Sequence, residues 1–229
     1  MNDPRKSFLD RVRQAVRAGN RFGQGADIPP RGSIGYQGAG PDPALRFRDE
    51  LAAAGGSAYL VPDREAAVTQ VLELASAKAP RRILLGRGAF LDSLQLEGAL
   101  RGLASLVDLV DSFNSDNCRE TFFSADLGIS GVDYLIAETG SIVFLAKSDD
   151  PRSLSLLPPV HIAVAECSQL KPDLFDLFDV ELQAGRKDLP SCLTLITGPS
   201  KTGDIELKLV TGVHGPGEVH VVLVTDGPR

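Results

Sequence analysis

The chain has 229 residues, 43% hydrophobic and 24% charged, with a formal net charge of −6; this suits a soluble globular protein of one large domain, or a domain with appendages. The acidic balance and the lack of tryptophan argue against general nucleic-acid binding and a base-stacking surface. No run approaches the ~20 apolar residues of a membrane span, there is no signal-peptide apolar core, and three scattered cysteines (Cys118, Cys167, Cys192) show no CxxC spacing for zinc or iron–sulfur ligation and point to a reducing, cytoplasmic setting.

In chain order, "DPRKSFLDRVRQAVRA" (3–18) reads as a helix with Phe8, Val12 and Ala15/Val16 on one face. Residues 1–31 hold seven Arg/Lys against three Asp, either a solvated helix face or docking arm, or a basic patch for an acidic partner. Residues 19–41 are rich in Gly and Pro and read as a linker or wrapping loop. The chain thus divides into a 1–41 helix and loop and a 42–229 α/β domain. In that domain "DPALRFRDELAAAG" reads as a helix, "SAYLVP" as a strand, "DREAAVTQVLELASAKAP" as a helix with an Asp cap, "RRILLG" as a strand, "GAFLDSLQLEGALRGL" as one helix and "SLVDLV" as a strand. Short apolar runs separated by helical patterns predict βαβ units and a parallel sheet. Further on, "VDYLIAETGSIVFLA" predicts two strands around Thr139-Gly140, "DLFDLFDVEL" a helix, and "HIAVA", "CLTLIT" and "VHVVLV" three more strands. Antiparallel pairing should concentrate near the middle of the chain.

Four segments carry candidate chemistry. In "LITGPSKTGDIE" (195–206) a strand stops at Gly198-Pro199, and Ser200 or Thr202 is placed to cap a short helix with Asp204 and Glu206 in its first turn. Free N–H groups at such a turn, with Lys201 beside them, suit an anion; a capped helix without a ligand is the alternative. The Walker pattern is absent. In "GVHGPGEVHVVLV", Gly212, Gly215 and Gly217 permit tight turns, His214 lies in the turn and His220 in the strand; the spacing does not suit a metal pair, and no metal site is expected. In "IAETGSIV", Glu138 interrupts an apolar strand pair, as a nucleophile, a base, a binding group, or a turn acid satisfied by the amides of Thr139 and Gly140. In "RSLSLLPPVHIAV", Ser153, Ser155 and His161 are polar positions in a buried-looking run, and Arg152 is placed to clamp a carboxylate; no GxSxG elbow exists.

Together "ADLGISGVDYLIAETGSIVFL", "SLLPPVHIAV", "TGPSKTGDIE" and "GVHGPGEVHVVL", in this order, resemble the lactate utilization protein C family, the LUD domain, over about 42–225. The resemblance implies a three-layer-like α/β sandwich with a mixed, mostly parallel sheet, similar to the ribose-5-phosphate isomerase and CoA-transferase group. It implies a component of a bacterial L-lactate utilization system, supporting oxidation of L-lactate to pyruvate together with partner proteins that carry iron–sulfur clusters, with no cofactor on this chain and a small carboxylate or anion as ligand. A stand-alone CoA-transferase-like or phosphosugar-isomerase-like enzyme using Glu138 is the alternative. Lys201 and Gly203 stand where the family usually has Arg and Ala, so the charge is kept without bidentate geometry. On this reading Glu138, His161 and His214 are the candidate catalytic residues. Thr139, Gly140, Ser155, Gly198, Ser200, Lys201, Thr202, Asp204 and Gly215 would bind the ligand in one cleft, with His220 behind it.

Overall fold

The computed structural model describes residues 4–19, 38–112, 118–147, 151–181, 190–203 and 209–225. The chain divides into two units, Met1–Tyr36 and Gln37–Arg229. The first contains helix α1 (Pro4–Gly19), where the leading proline leaves no needed N–H donor unmade.

The second unit opens with α2 (Pro43–Ala53), capped by Asp42, whose carboxylate accepts from the Leu45 N–H at 3.0 Å. Ala44, Phe47 and Leu51, spaced three and four apart, form its buried face. Phe47 and Leu51 are wholly buried, each contributing about 1.5–3 kcal/mol by removal from water. After β1 (Ser57–Val61) comes α3 (Arg64–Lys78), capped in the same way by Asp63 on Ala66 N–H at 2.8 Å. Then follow β2 (Arg82–Leu85), α4 (Ala89–Ser93), α5 (Leu96–Leu100), β3 (Leu106–Leu109), α6 (Cys118–Phe123) and β4 (Leu127–Ser130). The remainder is β5 (Tyr134–Ile136), β6 (Ser141–Leu145), β7 (Val160–Glu166), β8 (Leu170–Lys171), α7 (Leu174–Glu181), β9 (Leu193–Ile196), β10 (Lys201–Gly203), β11 (Leu209–Thr211) and β12 (Glu218–Val224).

Six strands make one wholly parallel sheet in the order β1-β12-β7-β4-β2-β3. Val222 and Val224 of β12, with Ile162 and Val164 of β7, pack under α3, α4 and α5. Their neighbours Val221, Leu223, Ala163 and Ala165 point the other way, against α2 and a second sheet. Burial on both faces explains why these strands read as unbroken apolar runs. The second sheet, β8-β5-β6-β9, is mixed: β5 and β6 form the antiparallel hairpin expected around Thr139-Gly140, β9 extends it and β8 joins in parallel. Its far face is covered by Leu177 of α7. The layers are therefore helices, parallel sheet, then α2 with the smaller sheet.

Two sequence expectations are corrected. The single helix across "GAFLDSLQLEGALRGL" is two, broken at Gln95 with φ +50. Leu94 and Leu96 are both buried; two residues apart on one helix they would face opposite sides, and the break lets both reach the core. The short helix expected after Gly198-Pro199 is instead strand β10, whose Lys201, Thr202 and Gly203 pair antiparallel with Thr211, Val210 and Leu209. The ladder satisfies backbone groups that a cap would otherwise have served, and no helix N-terminus forms at Lys201–Gly203. Asp204 and Glu206 lie outside the described residues.

Candidate functional site

At the carboxyl edge of the parallel sheet, the connections after β2 and β4 leave toward opposite faces. Gly86–Gly88 leads to α4, whose Leu91 joins the core under the helices; Gly131–Asp133 leads to β5, whose Leu135 joins the core on the other side. Crevices between such diverging connections are where open parallel sheets bind ligands. Here the crevice is a cavity of about 200 Å³ walled by Phe90, Leu91 and Val132, with Arg87, Lys147 and Glu166 as its charged groups. A larger cavity of about 410 Å³, which Arg87 and Leu91 also line, extends past Asp92, Gln95 and Glu97.

Arg87 stands between two glycines at the end of β2 and takes its orientation from two carboxylates. Its Nε lies 3.2 Å from Asp111 Oδ2 and its Nη1 3.4 Å from Asp92 Oδ1. Arg87, Asp92 and Asp111 are each about 40% exposed, so these pairs are loose and screened. Lys147 is aimed by Asp133, which binds its ammonium through Oδ1 and accepts the Leu145 N–H through Oδ2 at 2.7 Å. On the third side Gln169 donates to the Val132 carbonyl and accepts from the Glu166 N–H at 2.9 Å, pinning β7's end to the loop after β4. The result is a small pocket with two cations, one carboxylate and apolar walls. Sequence reasoning missed Arg87, Lys147 and Glu166. The available signal was "LLGRG", an arginine between glycines directly after a predicted strand.

The motif residues collect mostly at the opposite edge, where β1, β7 and β12 begin. Gly140 (φ +64) lies against α2 so closely that a Cβ would stand 2.3 Å from Leu51 N. Gly198 (φ +77) meets the Ala54 carbonyl at the end of α2, where a Cβ would be 2.7 Å away. Lys201 donates to that same carbonyl, a cation on a helix C-terminus. Glu138 is half-buried in the β5–β6 turn, its N–H bonded to the Pro172 carbonyl at 3.0 Å. Beside it runs a line of hydroxyls: Thr139 Oγ1 to Ser141 Oγ at 2.7 Å, and Ser141 Oγ to Thr197 Oγ1 at 2.6 Å. Glu138, Thr139, Gly140, Gly198 and Lys201 are thus gathered by the C-terminal half of α2. Ser200 is joined to the last turn, donating its N–H to the Pro216 carbonyl and accepting from Gly212 N–H. Gly215 packs on Ser200, and Gly217 N–H reaches the Pro159 carbonyl at 2.9 Å. Thr202 pairs with Val210 in the ribbon, and His214 is exposed in the turn before β12.

His161 and Ser155 are held elsewhere. Ser155 is buried and donates to the Arg152 carbonyl at 3.1 Å. His161 is completely buried in β7, with Nε2 2.8 Å from Ser130 Oγ and its ring 5.9 Å from that of Phe144. Its Nδ1 has no partner among the described residues. Burial, and secondarily the nearby His220, lower its pKa from 6.5 to about 4, so the imidazole is neutral at ordinary pH. His220 faces the other side of the sheet, 3.3 Å from both the Tyr59 hydroxyl and Glu218. Burial lowers its pKa against the raising influence of Glu218. Glu218 is itself held low, mainly by its hydrogen bond from Lys78. Among the described residues, no group of three or more His, Cys, Asp or Glu is placed to hold a metal ion, and no helix is long and apolar enough to cross a membrane.

Residues 44–224 match the LUD domain family. Lactate utilization protein C of Halalkalibacterium halodurans is 35% identical over 164 residues, 71% of this chain and 69% of that protein. The Bacillus subtilis protein of the same name is 40% identical over 104 residues, 44% of this chain and 43% of its own length. That of Macrococcus caseolyticus is 41% identical over 105 residues, 44% and 45% of the two chains. The matches to these last two therefore span less than half of each relative. Among solved structures, the crystal structure of a DUF162 family protein from Deinococcus radiodurans superposes with a TM-score of 0.57 at 22% identity, covering 80% of this chain and 96% of that one. That likeness concerns the fold.

Proposed function

Because the chain belongs to the LUD domain family, we propose that it serves L-lactate utilization as a component that holds a small carboxylate while partner proteins carrying iron–sulfur clusters take up electrons. The observation that carries this reading is the 35% identity to lactate utilization protein C over 71% of the chain. Conversion of L-lactate to pyruvate releases two electrons and two protons; the clusters on the partners are the electron acceptors. Three cysteines fall short of the four thiolates of an ordinary cluster, which supports placing the clusters on partners.

The carboxylate sits in the crevice of about 200 Å³ between Arg87 and Lys147. A guanidinium presents paired donors that match a carboxylate fork, and Arg87's loose pairs to Asp92 and Asp111 can be exchanged for such a ligand. Lys147 supplies a second cation, and Phe90, Leu91 and Val132 supply walls for a methyl group. Deletion of the gene in its host abolishes growth on L-lactate as sole carbon source. The wild-type chain restores it, and the purified protein brings down cluster-bearing proteins. Unimpaired growth of the deletion strain rejects the lactate role. Full complementation by Arg87→Ala together with Lys147→Ala rejects the crevice and leaves the lactate role standing.

A further inference from the structure

We infer that α1 is an interfacial anchor that lies on the surface of an anionic phospholipid bilayer. Phe8, Leu9 and Val12 are 56%, 40% and 43% exposed, so this helix presents large apolar side chains to solvent. At about 100° per residue, Phe8, Leu9, Val12 and Ala15 fall within one stripe, which Arg5 enters at the N-terminal end, with Lys6 and Arg13 along one border and Arg11 along the other. Cations on both borders of an apolar stripe suit a helix lying in a membrane plane: the apolar chains enter the acyl boundary while the long basic chains reach the headgroups.

Charge selects the partner. The helix holds five basic residues against one acid in a chain whose formal net charge is −6. The remaining chain is therefore acidic and is repelled by an anionic bilayer, whereas α1 is attracted to it. Binding to a neutral bilayer lacks this attraction, and the stripe, only three large apolar residues wide, is too small to hold by apolar burial alone. The anchor is independent of any ligand in the crevice.

The test uses the full chain and vesicles of phosphatidylcholine, with and without phosphatidylglycerol. Cosedimentation is expected to be about ten-fold or more stronger on the anionic vesicles and to weaken as salt is raised. Since the chain has no tryptophan, Phe8→Trp installs a single indole whose selectively excited fluorescence shifts to the blue on anionic vesicles only. Leu9→Asp with Val12→Asp, made in the Phe8→Trp background, abolishes both signals, while the melting temperature of the α/β unit stays unchanged. Equal partitioning to both vesicle types, or anionic binding that survives the double substitution, overturns the inference. Binding to soluble polyglutamate without binding to vesicles also overturns it, in favour of an acidic protein partner.

Discussion

Acidification from pH 7.5 to 4.5 should destabilise the α/β unit chiefly at one side chain, His161. Its imidazole is completely buried, and burial lowers its pKa from 6.5 to about 4. The unfolded chain takes up a proton near pH 6.5 that the native state refuses until about pH 4. Stability is therefore fully present above about pH 6.5 and is lost progressively as pH falls toward 4. Each pH unit in that window costs about 1.4 kcal/mol, so the loss at pH 4.5 is roughly 2–3 kcal/mol, a large part of the roughly 5–15 kcal/mol that holds a typical domain. Urea denaturation of the wild type and His161→Gln at pH 7.5, 6.5, 5.5 and 4.5 measures it. The variant starts lower, because Ser130 loses its partner and the packing against Phe144 changes, by about 1–3 kcal/mol. Its curve should then be flatter by roughly 2–3 kcal/mol across the window. His220 and Glu218 also titrate but are present in both proteins, so apart from the secondary influence of His220 on His161 they cancel in the difference. Parallel curves would refute the assignment of acid sensitivity to His161.

Gly140→Ala should lower stability by about 3 kcal/mol or more, since the methyl meets the Leu51 backbone at 2.3 Å in a left-handed turn; a melting temperature within a degree of wild type would contradict that packing. Gly98→Ala, where a Cβ meets nothing within 4 Å inside α5, should instead raise stability by about 0.5–1 kcal/mol, read from the urea midpoint. Asp63→Ala removes the cap on Ala66 N–H and should cost about 1 kcal/mol, with Asp63→Asn restoring most of it in the same assay.

The two edges of the sheet divide the labour. At the amino edge the glycine–proline turns admit close backbone contact: Gly140 and Gly198 let the smaller sheet close onto α2, and Lys201 finishes that helix. The carboxyl edge is where chain connections part and leave space. Its charged groups come from three separate segments, the loop after β2, the residues just past β6 and the end of β7.

What was legible in the sequence was local. Asp42 and Asp63 cap helices because a carboxylate reaches the N–H three residues on, and apolar spacing alone marks the buried face of α2. The βα alternation and the hairpin at Thr139-Gly140 follow from short-range pattern in the same way. The tertiary structure decided everything that depends on a distant partner. The last strand lies between β1 and β7 because its apolar residues need cover on both faces, which no neighbour in sequence provides. The Lys201 segment pairs as a ribbon with Leu209–Thr211 instead of coiling, and the 89–104 run breaks at Gln95 so that Leu94 and Leu96 both reach the core. Arg87 and Lys147 line one crevice because β2 and β4 are neighbours whose connections diverge. Capping and periodicity are settled within a few residues of backbone, whereas strand order and crevices are settled by which apolar faces cover one another.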